Sequence, residues 1–163
     1  MSRGLGAALA LVLVAGCAPT PVEVDVRFPR EENFLFTSFG QLLVFTIDPE
    51  EGLGDCPALL EQVESSGIGM PALQTDRVPI CEFRAGGVSF DDVPPGPHAY
   101  VMLAFDDSDN LILDGCTVAE AYVDAPPVQV QLFPTSDYVT STMGRTLTCS
   151  SAEDKCAAGG GCR

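Results

Sequence analysis

The chain has 163 residues, 46% of them hydrophobic, and sets 23 acidic side chains against eight basic ones for a formal charge of −15. That hydrophobic share belongs to a globular domain and not to a disordered acidic tail, and the length suits one domain with a real core. The charge repels phosphate backbones, which excludes nucleic acid as a partner.

The chain opens MSRGLGAALALVLVAGC. Arg3 and the start amine make a short positive region, and residues 4–15 are an unbroken run of Gly, Ala, Leu and Val. The run is too short to span a bilayer, which takes about 20 apolar residues, but it suits the apolar core of a secretory signal. Val14-Ala15-Gly16-Cys17 resembles the lipobox of bacterial lipoproteins: a branched residue, two small residues, then cysteine. The resemblance implies that the Cys17 thiol receives a diacylglycerol, that the chain is cut after Gly16 and that the new amine is acylated. Residues 1–16 are then a signal peptide and 17–21 a lipidated tether. Two or more acyl chains anchor stably, so the membrane is an expected partner. In that family an aspartate after the cysteine retains the protein at the inner membrane. Ala18 stands there, which favours the outer membrane. The competing readings are an ordinary cleaved signal whose Cys17 enters a disulfide, and a buried apolar helix. After cleavage seven basic residues face 23 acidic ones, for a charge of −16.

Strand patterns follow. Val22, Val24, Val26 and Phe28 alternate with polar neighbours, the period of a half-buried strand. Residues 33–39 and 42–47 are rich in aromatic and β-branched side chains, with Gly40 between them as a bend or bulge, and Asp48-Pro49 ends the run. One helix is predicted near 57–64, with Asp55 as cap, Pro57 in the first turn and Gly67 closing it. Residues 78–83 and 88–90 read as strands joined by a hairpin turn at Ala85-Gly86-Gly87. A proline-rich connection over 91–97 leads to a strand over 99–105 and an acidic turn over 106–110. Strands over 111–113 and 117–122 are hinged at Asp114-Gly115, and after Pro126-Pro127 a last strand carries Val128, Val130 and Leu132. This spacing predicts an all-β, antiparallel sandwich over 22–134 with one short helix, followed by a Cys-rich tail over 135–163.

Phe90, Pro94-Pro95-Gly96 and Tyr100 resemble the signature of transthyretin-like, carboxypeptidase-regulatory-like β-sandwich domains: a phenylalanine strand, an acidic step, Pro-Pro-Gly, then a tyrosine strand. The insertion of Pro97-His98-Ala99 before the tyrosine departs from it. The resemblance implies an immunoglobulin-like Greek-key sandwich that is usually a non-catalytic accessory. A fold alone does not transfer a function.

Apart from Cys17 there are six cysteines: Cys56, Cys81, Cys116, Cys149, Cys156 and Cys162. In an exported chain they predict three disulfides, with 15 connectivities open. Three lie in the body and three in the tail, so full pairing within one chain needs at least one body-to-tail bridge. A zinc site is the competing reading, but there is no Cys-x-x-Cys pair and His98 is the sole histidine.

Motifs of catalysis are thin. His98 is the one side chain suited to acid–base work near neutral pH, and it lacks an identifiable orienting partner. Gly87-Val88-Ser89-Phe90-Asp91 lacks the second glycine of a nucleophile elbow, and Ser151 with Lys155 misses the Ser-x-x-Lys spacing. Asp106, Ser108 and Asn110 occupy the 1, 3, 5 spacing of a calcium loop. Leu111 and Thr117, however, replace the glycine and glutamate that such a loop needs, and a solvated hairpin turn is the default. The expectation is therefore a non-enzymatic envelope lipoprotein without a cofactor, its sandwich a structural or protein-binding accessory. The alternatives are a carboxylate-based hydrolase and a calcium- or ligand-binding lipoprotein.

Overall fold

The computed structural model describes residues 20–47, 55–66, 69–86 and 88–157. Cys17 with its lipobox, and Cys162, lie outside the described residues. The chain runs β1 (Thr20–Arg27), α1 (Glu31–Phe36), β2 (Phe39–Thr46), α2 (Cys56–Ser66), β3 (Leu73–Gln74), β4 (Val78–Pro79) and α3 (Ile80–Gly86). It continues as β5 (Val88–Val93), β6 (Gly96–Phe105), β7 (Leu111–Ala121), β8 (Val128–Gln131), β9 (Phe133–Pro134), α4 (Tyr138–Thr142) and α5 (Ala152–Cys156). It is mostly β, with two sheets. The smaller has the order β5-β1-β8, and the larger β3-β2-β6-β7-β9 with β4 also paired to β2.

The sheets pack face to face. Val22, Val24, Phe90, Val93, Val128 and Val130 of the small sheet share one core with Leu42, Val44, Tyr100, Met102 and Ala104 of the large sheet. Full burial of each such aliphatic side chain stabilises by about 1.5–3 kcal/mol. The other face of the large sheet is also dry. There Leu43, Phe45, Val101, Leu103 and Phe105 pack under Val63, Leu59 and Leu60 of α2. Strand β6 is thus buried on both faces, which is why HAYVMLAF reads as a nearly continuous apolar run. A disulfide between Cys56, the first residue of α2, and Cys116 of β7 ties this third layer to the sheet.

Several sequence expectations are corrected. Residues 33–36, expected in a strand, belong to helix α1: Glu31 and Glu32 favour its positive end, and the Thr37 hydroxyl donates to the Asn33 carbonyl at 2.9 Å. Of the strand expected over 78–83 only Val78–Pro79 forms, because α3 starts at Ile80 and buries Ile80 and Phe83 one helical turn apart. Ala85 and Gly86 therefore close a helix instead of a hairpin turn, and Gly87 is outside the described residues. Among its described residues the body carries three helices where one was expected. The connection between β5 and β6 shrinks to Pro94-Pro95. Nor is the sandwich wholly antiparallel, since β1 and β8 pair in parallel from Val24↔Val128 to Arg27↔Gln131.

The two glycines placed at bends sit inside continuous strands for steric reasons. Gly115 lies within β7, and a Cβ there would collide with the Gln131 carbonyl oxygen and stand 2.9 Å from its carbon. The chain crosses at that point from β8 in one sheet to β9 in the other. Gly40 lies within β2, where a Cβ would meet Met102 at 2.5 Å and Phe83 at 2.7 Å.

The tail is built in. Cys81 of α3 is bonded to Cys156 of α5, with 5.4 Å between their Cα atoms. The Lys155 ammonium is buried against the end of α1 and donates to the carbonyls of Phe34 (3.0 Å), Leu35 (2.7 Å) and Thr37. In return Glu31, at the start of α1, accepts from the Ala152 N–H at the start of α5 (3.0 Å). Each helix supplies a partner for an orphan end group of the other. Cys149 is disulfide-bonded as well.

Candidate functional site: a cleft of mixed charge along β1

The residues singled out by sequence fall in three separate places. His98 is buried on the inner face of β6, where its Nε2 donates to the Pro94 carbonyl at 2.7 Å. Its Nδ1 has no partner among the described residues, and its neighbour is the edge of the Tyr100 ring at 6.4 Å. Tyr100 is itself fully buried, and burial pushes its hydroxyl pKa up. No carboxylate or nucleophile among the described residues bonds to His98, so it does not head a proton relay.

Asp106, Ser108 and Asn110 do come together, but around the Asp106 carboxylate. One oxygen accepts from the N–H groups of Ser108 (2.8 Å) and Asn110 (2.9 Å). The other accepts from the Asn110 amide (3.0 Å) and from Arg145 (3.1 Å). Arg145 also reaches Asp107 at 2.8 Å and so clamps the turn to the tail. The lone pairs that a calcium ion would need are engaged by the protein itself.

Asp114, placed at a hinge by the sequence, is a buried carboxyl in β7. It pairs with Leu103 and faces the α2 side of the sheet. Burial, then the Glu64 carboxylate, pushes its pKa up to about 6, and its Oδ2 has no partner among the described residues. The signal in the sequence was a lone aspartate inside LILDGC.

The most site-like feature was not legible locally. Two adjoining clefts of about 500 and 440 Å³ share Val26, Phe83 and Arg84 and run along one edge of β1. That edge is open for a definite reason. The Arg27 carbonyl accepts from the Leu132 N–H at 2.9 Å, so Arg27 turns its main-chain groups towards β8. Alternation then turns those of Val26 to the opposite edge. There β5 begins only at Val88, opposite Val24, so among the described residues Val26 pairs with Val130 of β8 and with no residue of β5.

The cleft walls mix both signs of charge, with Arg27, Arg30 and Arg84 set against Glu23, Asp25 and Glu31. Three of the six basic side chains among the described residues line it: Arg27, Arg30 and Arg84. Phe28, Phe34 and Phe83 provide apolar surface below them, with Phe28 edge-on to Phe34 at 5.1 Å. Arg27 pairs with Asp25 at 2.6 Å, and Arg84 pairs with Glu153 while lying 5.5 Å above the Phe34 ring. Arg30 makes no ion pair among the described residues. Glu31 lines one lobe, and Glu23 and Asp25 line the other. The arrangement is an apolar floor under side chains of both charges, two of its arginines being ion-paired already. It contains no nucleophile–base pair.

Comparison with family models, curated proteins and solved structures returns no match.

Proposed function

We propose that the chain is a lipid-anchored envelope lipoprotein, held at the outer membrane through Cys17, whose non-catalytic sandwich binds a protein partner. The observation that carries this reading is the β1 cleft, whose described lining sets Arg27, Arg30 and Arg84 beside Phe28, Phe34 and Phe83, with Glu23, Asp25 and Glu31 also in its walls. A hydrolase built on paired carboxylates needs two such groups across a substrate-sized gap, and Asp114 lines neither lobe of the cleft.

Attachment at Cys17 would bear on how the domain is presented. Two residues, Ala18 and Pro19, lie between Cys17 and Thr20, the first residue of β1, so the body would be held within about 10 Å of the bilayer surface. The finer reading of the fold as a transthyretin-like, immunoglobulin-like Greek key is supported by the buried Phe90 on β5 and the fully buried Tyr100 on β6. The turn between them supports it too, with Gly96 at a φ of 125° that favours glycine.

The test is photo-crosslinking in intact cells, with a benzophenone amino acid at Pro29 on the cleft rim and, as control, at Glu120 on β7. A discrete adduct from Pro29 and none from Glu120 is expected. Absence of any adduct from cleft positions would overturn the protein-binding reading.

A further inference from the structure

We infer that the pole of the sandwich where β1 begins faces the membrane, with Tyr122 and Val123 seated in the headgroup layer of the bilayer that holds the anchor; this rests on the lipidation of Cys17 proposed above. Strand pairing brings the pieces to one end. Thr20 pairs with Val93 of β5, Pro94 and Pro95 lead from Val93 to Gly96, and Gly96 pairs with Ala121, the residue before Tyr122. With only Ala18 and Pro19 between Cys17 and Thr20, a lipidated Cys17 lies within about 10 Å of this pole. The other end of β1, at Arg27, is about 23 Å further on.

The surface at this pole suits a bilayer interface. The Ala125 N–H donates to the Tyr122 carbonyl at 3.1 Å and closes a turn with Val123 and Asp124 at its tip. Asp124 takes a φ of 62°, which aspartate tolerates, but a valine on an exposed tip departs from ordinary turn chemistry. Val123 is 71% exposed and Tyr122 51%. Pro94, Pro95, Pro126 and Pro127 are exposed in the same two connections. Proline has no N–H, so these loops hold fewer donors that would lose water at a cost. Tyrosine fits a boundary layer, with its ring apolar and its hydroxyl wet. A tethered domain meets the bilayer at high effective concentration, so a small patch needs little affinity of its own.

Charge selects the lipid. The basic side chains among the described residues lie towards the opposite pole. Arg27 ends β1, Arg30 precedes α1, and Arg84 and Lys155 lie over the Phe34 ring of α1. Arg77 and Arg145 bind the acidic turn beyond the far end of β6. The pole at Thr20 carries exposed Asp91, Asp92, Glu120 and Asp124 instead. These repel anionic headgroups, so the contact is apolar and its partner is a zwitterionic phospholipid.

The chain has no tryptophan, so a single introduced one reports its own surroundings. The experiment uses the full-length, membrane-extracted protein reconstituted in phosphatidylcholine vesicles, with flotation reporting the anchor. Val123→Trp is compared with Val139→Trp, an exposed position on α4 beside the Tyr138–Phe36 contact at the opposite pole. Brominated acyl chains are expected to remove about half of the emission from Val123→Trp and none from Val139→Trp. Tyr122→Trp gives the same readout if Val123→Trp does not fold. Flotation with neither reporter quenched, or with both quenched equally, overturns the inference and leaves the anchor standing. Quenching that grows when phosphatidylglycerol replaces part of the lipid, at constant bromine content, overturns it in favour of an anionic headgroup. Wild-type protein that does not float overturns the anchoring at Cys17 and the inference with it.

Discussion

The ammonium of Lys155 lies 2.7 Å from the carbonyl oxygen of Leu35, across 120 residues of sequence, and closes the end of helix α1. Lys155 is the only lysine in the chain. Its replacement by methionine keeps the length of the side chain but strands the carbonyls of Phe34, Leu35 and Thr37. Unsatisfied buried carbonyls cost roughly 1–3 kcal/mol each, so Lys155→Met should lose on the order of 3 kcal/mol in urea unfolding at pH 7. Burial lowers the Lys155 pKa from 10.5 to about 8, with Arg145 adding to the shift and Asp107 opposing it. A lysine lowered on folding binds fewer protons in the folded state between those two values. Its charge therefore weighs against the fold below pH 8, and that cost is relieved as the pH rises towards 10.5. The gap between wild type and Lys155→Met should widen in favour of wild type across that window.

Asp114 titrates with the opposite lever. Its pKa is raised from 3.8 to about 6, so the folded protein holds an extra proton between those values. Stability should rise as the pH falls from 6 to 4 and be lower above 6, where the buried carboxylate is charged. Asp114→Asn keeps the shape without the charge and should stabilise at pH 7 by on the order of 1–3 kcal/mol. Thermal melts at pH 4 and pH 7 check both statements. A destabilised asparagine variant at pH 7 would contradict them.

The Asp106 turn gives a test of the calcium alternative. With both carboxylate oxygens bonded within the protein, millimolar calcium should leave the melting temperature unchanged. Asp106→Ala removes the acceptor for two main-chain N–H groups and for Arg145, and should cost roughly 2–4 kcal/mol with calcium present or absent. A calcium-dependent rise in melting temperature that is lost in Asp106→Ala would revive the metal reading.

Lipidation at Cys17 predicts a fractionation result. Cys17→Ser should appear in the soluble fraction or as an uncleaved precursor, whereas wild type should sediment with membranes and be labelled by palmitate. Membrane-bound serine variant at processed size would contradict the anchor.

The fold was legible where one face of a segment is wet or where local signals agree. Val22, Val24 and Val26 showed β1 by alternation, Val128 and Val130 showed β8, and Pro57 with good helix formers marked α2. It failed where distant residues decide the local conformation. Asn33–Phe36 carry strand-like side chains, yet α1 is closed by Lys155, which no local window contains. Gly115 looks like a hinge until the Gln131 carbonyl is placed against it. The cleft was invisible for the same reason, because Arg27, Arg30 and Arg84 become neighbours only when α3 folds against the end of β1. Asp106, Ser108 and Asn110 were correctly grouped by spacing, but spacing says nothing of Arg145.

The position of β1 also has a mechanical side. It is the middle strand of its sheet, antiparallel to β5 and parallel to β8, with registers running from Thr20↔Val93 to Arg27↔Gln131. Whatever pulls on the chain ahead of Thr20 pulls along the axis of β1, while the hydrogen bonds holding it run across that axis. Load then spreads over both ladders at once and does not open them one rung at a time. A pull on the chain ahead of Thr20 would therefore be resisted by shear across both ladders, with β5 on one side and β8 on the other.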